Sequence, residues 1–127
     1  VGRSVVALVT DLIFSTRIAS TARAVGTPLK VVASLDALRS ELASGTVSFV
    51  LLDLSADGVD AADAVRAAKD AAVPARVIAY LPHVRNEQAE AARRAGADEV
   101  LPRSAFSTRL PALLRALAAQ RPDTGPA

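Results

Sequence analysis

The chain has 127 residues, 51% of them hydrophobic, enough for one domain with a packed core and too few for two independent ones. It has no cysteine, which excludes disulfides, thiol chemistry and thiolate metal sites and fits a reducing, cytoplasmic compartment. A formal charge of +2 and 3% aromatic residues speak against a nucleic-acid surface, and no apolar run approaches the roughly 20 residues of a membrane span.

Taken in chain order, Ser4 to Thr10 (SVVALVT) is an apolar run that ends at Asp11. From Phe14, apolar positions recur at helical spacing through Ile18, Ala22 and Val25, and Gly26 supplies a C-terminal stop. Pro28 to Ser34 reads as a second strand. Ser34 then caps a helix with the inward stripe Leu35, Leu38 and Leu42, closed by Gly45. Val47 to Leu52 is a third strand, continuous enough in apolar residues to be buried on both faces. Asp57-Gly58 makes a turn, and Val59 to Ala72 is an Ala-rich helix.

Ala75 to Leu81 (ARVIAYL) is the fourth strand, stopped by Pro82. A helix starting at Asn86 runs to Ala95, with an inward face of little but alanine. Such a face buries little area, which makes this the most weakly held of the five helices. Ala97 to Leu101 is a short fifth strand. The last helix carries the clearest stripe, Leu110, Leu113, Leu114 and Leu117; Ser107 is its expected N-cap, with Pro111 in the first turn. Residues 1–120 form the expected domain, and Arg121 to Ala127 reads as a disordered tail or the start of a linker.

Five strand–helix repeats with short connections predict a three-layer, doubly wound α/β sandwich. With strand order 2-1-3-4-5, polar residues ending the first, third and fifth strands share one edge, where ligands collect in open α/β sheets. Those residues are Asp11, Asp53 and Arg103. Two carboxylates there could hold Mg²⁺, and a cation opposite could neutralise a transferred phosphoryl group. Each Asp has a plainer use as well, in an Asx-turn or as a helix cap.

Three stretches carry a resemblance: VALVTD at 6–11, FVLLDLS at 49–55 and AGADEVLPRS at 95–104. Through them, and through the five-fold βα pattern, the chain resembles the CheY-like receiver domains of bacterial response regulators from Val5 to Leu117. The resemblance implies a flavodoxin-like fold, a two-component or phosphorelay role, and phosphorylation of Asp53 by a histidine kinase. It also shows departures. The paired acids of the family fall on Thr10 and Asp11, so one acid is missing. The hydroxyl that closes over the phosphoryl group falls at about Leu81, which has none. The lysine falls on Arg103, a planar fork rather than a compact ammonium, and Ser104 and Ser55-Ala-Asp-Gly58 replace the usual prolines. This is the pattern of an atypical or pseudo-receiver: Mg²⁺ absent or weakly held by Asp11 and Asp53, phosphorylation impaired or absent, and signalling by protein contact.

The face implied for partners is the fourth helix, fifth strand and fifth helix, with Arg93, Arg94, Arg109 and Arg115 offered to an acidic protein or a second copy. The sole histidine, His83, follows Pro82 in a loop and has no motif-bearing serine to pair with. No GxGxxG or Walker loop is present. The chain therefore reads as a non-enzyme, at most phosphorylating and dephosphorylating itself at Asp53. The alternatives are a working Mg²⁺-dependent receiver, or a flavodoxin-like domain that binds a small ligand at the same edge.

Overall fold

Strands and helices alternate in the computed structural model, which describes residues 4–82 and 87–119. They are β1 (Ser4–Leu8), α1 (Leu12–Val25), β2 (Leu29–Val32), α2 (Leu35–Leu42), β3 (Val47–Asp53), α3 (Ala61–Lys69), β4 (Arg76–Leu81), α4 (Glu87–Ala95), β5 (Glu99–Pro102) and α5 (Arg103–Ala119). Every pairing is parallel and the order is β2-β1-β3-β4-β5, the doubly wound α/β arrangement that the sequence predicts. His83, the Asn86 helix start and the 121–127 tail lie outside the described residues.

Strand parity sorts the core into two layers. Val6, Leu8, Val50, Leu52, Val77, Ala79 and Leu81 face α2, α3 and α4; Val5, Ala7, Phe49, Leu51, Ile78 and Tyr80 face α1 and α5. The central strands are buried on both sides, which is why they read as unbroken apolar runs. Among the described residues, no helix is long and apolar enough to cross a membrane.

The caps follow local chemistry. The Asp11 carboxylate accepts from Phe14 N–H, that of Asp60 from Asp63 N–H, and the Ser34 hydroxyl from Ala37 N–H. At the other end of α1, Gly26 takes the left-handed conformation with φ 76°, as its C-terminal position requires. On α4, Ala89 and Ala92 are the buried residues, so its seat is indeed alanine. Several expected bounds move inward: α2 closes at Ala43 rather than Gly45, α3 spans Ala61–Lys69 rather than 59–72, and β5 starts at Glu99 rather than Ala97.

The start of the last helix needs a larger correction. Ser107 is no N-cap: α5 begins at Arg103, and Pro111 lies well inside it. A proline there removes a backbone donor and crowds the carbonyl four residues back, a cost of about 3 kcal/mol. The longer helix also buries Phe106 completely and aligns it with Leu110, Leu114 and Leu117. At about 1.5–3 kcal/mol for a fully buried large side chain, the burial of Phe106 offsets much of the proline's cost.

Candidate functional site

The C-terminal edge of the sheet brings together Asp11, Asp53 and Arg103, as the strand order demands. Asp53 is the last residue of β3 and only 3% exposed. Its Oδ1 accepts from the Ser55 N–H at 2.9 Å and the Ser55 hydroxyl at 2.7 Å, so one oxygen is committed to an Asx-turn. Asp11 is exposed, and its Oδ1 is likewise engaged, accepting from Phe14 N–H at 3.0 Å to cap α1. Both plain uses of these carboxylates are therefore realised alongside their shared position.

Thr10 stands where a second acid would sit. Its hydroxyl oxygen accepts from the Asp57 N–H at 3.2 Å, tying the loop after β3 to the end of β1. Leu81 is fully buried, packed with the α2–α4 layer, and brings no hydroxyl to the edge. Among the described residues, no group of three or more His, Cys, Asp or Glu side chains could hold a metal ion. For Mg²⁺, which takes oxygen ligands in near-octahedral geometry, Asp11 and Asp53 with one oxygen each already engaged are a poor donor set.

Arg103 opens α5. Its guanidinium lies over the Phe14 ring, 5.4 Å from the centroid, a cation–π contact made from the first turn of one helix to that of another. Its Nε is buried without a well-formed hydrogen bond among the described residues, and the same is true of the Tyr80 hydroxyl.

Tyr80, the only tyrosine and one residue before the missing hydroxyl position, is a residue to which the sequence assigned no role. In the β3–β4 register it pairs with Asp53, so the two side chains share a sheet face. Its ring stacks on Phe106 at 4.4 Å between centroids and tilts against Phe14 at 5.1 Å. Burial first, and then the charges of Asp53 and Asp11, raise the phenol's pKa far above the ordinary tyrosine range, with Arg103 opposing them. Asp53 is thus close enough for its charge and a weak hydrogen bond from the phenol to be felt, although that contact falls short of a well-formed hydrogen bond. The usable signal was strand alternation: Ile78 and Tyr80 share one face while Val77, Ala79 and Leu81 share the other.

On the expected partner face, Arg93 pairs with Glu90 at 2.8 Å and Arg109 with Glu99 at 3.1 Å, while Arg94 and Arg115 are exposed. Half of that positive charge is therefore answered within the chain.

No protein-family model matches the chain, and no curated protein matches it in sequence. Solved structures do. The receiver domain of the sensor histidine kinase PA1611 from Pseudomonas aeruginosa PAO1, with a magnesium ion in its active-site cleft, superposes with TM-score 0.79 at 16% identity, covering 94% of this chain and 100% of that one. A CheY-like receiver domain protein from Methanospirillum hungatei JF-1 gives TM-score 0.79 at 11% identity over 97% and 98%. A response regulator from Burkholderia pseudomallei, with a phosphorylated aspartic acid, a calcium ion and citrate, gives 0.76 at 17% identity over 93% of this chain and 69% of that one. At such identities the likeness is one of fold, and that fold is the flavodoxin-like α/β sandwich of CheY-like receiver domains.

Proposed function

We propose that the chain is a receiver-type signalling module of a two-component or phosphorelay system, with Asp53 as its input and a protein contact as its output. Phosphorylation of Asp53 is impaired in this reading. The observation that supports it is the strand edge itself: an acceptor-type carboxylate ends β3 near Arg103 and Asp11, but a threonine stands in the second acid's place and bonds the Asp57 N–H instead. The phosphorylated aspartic acid of the Burkholderia response regulator of like fold lends support to Asp53 as acceptor. Bound Mg²⁺ would neutralise charge on an incoming phosphoryl group; with two part-engaged carboxylates it is held weakly. The permanent charge of Arg103 supplies most of that neutralisation. The chain acts on no outside substrate. Its output surface is α4, β5 and α5, where the exposed Arg94 and Arg115 suit an acidic protein partner.

The test is incubation with a small acyl phosphate, with and without Mg²⁺, followed by intact-mass measurement. The expected product is a slowly formed adduct of one phosphoryl group, absent from Asp53→Asn, with Mg²⁺ changing its rate by less than about threefold. A rapid, stoichiometric adduct that needs Mg²⁺ would show a fully working receiver and sink the impaired reading.

A further inference from the structure

Among the described residues, the large hydrophobic side chains that stand exposed are Leu12, at 79%, and Ile13, at 83%. They are neighbours in the first turn of α1, directly after Asp11. One exposed leucine is ordinary, but an adjacent pair forms an apolar knob in water. At the other end of the molecule an open cavity of about 250 Å³ lies between the last turns of α2 and α3. Leu42, Ala43, Ala67 and Ala71 line it, together with the charged Arg39 and Asp70. An apolar cavity of roughly 150 Å³ holds a benzene-sized group, so this one has room for both aliphatic side chains. The topology keeps knob and cavity apart. In this all-parallel sheet α1 starts at the C-terminal strand edge, whereas α2 and α3 end at the N-terminal one. The seven residues of β3 put roughly 20 Å between those edges, so a chain cannot fill its own cavity with its own knob.

The charges beside the two features match in opposite sense. Asp11 precedes the knob, and Arg17 follows it one helical turn after Ile13; both are exposed. The cavity offers an exposed base, Arg39, and an exposed acid, Asp70. Two pairs of opposite sign, Asp11 with Arg39 and Arg17 with Asp70, therefore accompany the seating of the knob. Within the chain Arg39 reaches Asp36 only at 3.9 Å between exposed side chains, a tie weak enough to give way. We propose that the chain associates head to tail, Leu12 and Ile13 of one copy seated in the α2–α3 cavity of the next. Each copy then presents one knob and one cavity, so the contact is heterologous and assemblies lengthen as concentration rises. This surface is separate from the α4, β5 and α5 face assigned to an acidic partner.

The experiment is sedimentation velocity at low salt over a range of chain concentrations. It compares wild type with Ile13→Asp, Arg17→Asp, Asp70→Arg and the combined Arg17→Asp, Asp70→Arg variant. All three positions are exposed, and far-ultraviolet spectra check that each variant keeps the fold. An acid in the first turn of α1 and an arginine at the end of α3 both suit the helix dipoles. The expected result is a wild-type mass average that rises with concentration and falls back with added salt, and an Ile13→Asp variant that stays monomeric. Each single charge reversal weakens association about tenfold, and the combined variant recovers to within about threefold of wild type. A wild type that stays monomeric throughout assigns the knob to some other partner and overturns the proposal. Association indifferent to Ile13→Asp overturns the knob. Association indifferent to Asp70→Arg means that the knob meets its own copy or another surface, which overturns the cavity as its seat. A combined variant no stronger than its single parents overturns the pairing of Arg17 with Asp70, and the head-to-tail arrangement with it.

Discussion

Asp98 shows how much one side chain can hold in this fold. Its Oδ2 accepts from Lys69 Nζ and from the Val77 N–H at 2.7 Å, while its own N–H donates to the Val77 carbonyl at 2.9 Å. It thereby clips the entry of β5 onto β4 and α3 together, and Gly96 with φ 110° makes the turn that delivers it. Burial alone would raise its pKa, but Lys69 and the Val77 N–H outweigh that and hold the carboxyl below its ordinary value. A depressed pKa means stabilisation that is complete above the unfolded value of about 3.9 and is lost as pH falls through the lower folded value. Asp98→Asn should therefore cost about 1–2 kcal/mol at pH 7. Urea unfolding of the two proteins should show that difference shrinking toward pH 3; a difference that grows on acidification would refute this account. The AGAD turn was legible in the sequence as a motif, but the reason its Asp is there was not, since both partners come from elements distant in the chain.

At the scale of elements, α5 is where local preference and tertiary packing disagree. The helix-start rules favour Ser107 with Pro111 in the first turn, and propensity alone would end the matter there. Packing extends the helix back to Arg103 because Phe106 belongs in the aromatic cluster with Tyr80 and Phe14. The proline is then a strained interior residue. Pro111→Ala should raise stability by about 1–3 kcal/mol by restoring the helix bond to the Ser107 carbonyl. A urea midpoint that stays put or falls would mean that the helix has already relaxed around the ring. The other helices were read more closely because their caps are local: Ser34 and Asp11 need only the next three residues.

For the molecule as a whole, one sheet joins two core layers that share every central strand. Neither layer can persist without the strands that the other holds in place, so unfolding should be a single cooperative event. Tyr80 tests this directly. Its near-ultraviolet signal reports the α1–α5 layer, and the far-ultraviolet signal reports all helices; their denaturant curves should coincide. Two separated transitions would show that the layers melt independently.

The sequence by itself determined the doubly wound sandwich, its strand order and the gathering of Asp11, Asp53 and Arg103 at one edge. The sandwich follows from apolar period, caps and connection length, which are properties of neighbouring residues; the strand order, and with it the shared edge, is what the resemblance to receiver domains implied. Only the tertiary structure added Tyr80 to that edge. Parity within β4 placed Tyr80 and Leu81 on opposite faces, but register with β3 was needed to set Tyr80 beside Asp53. Burial then left its hydroxyl, with Arg103 Nε, without a well-formed hydrogen bond among the described residues. Whether a polar group is satisfied depends on atoms from four separate elements meeting in space, and no local pattern records that.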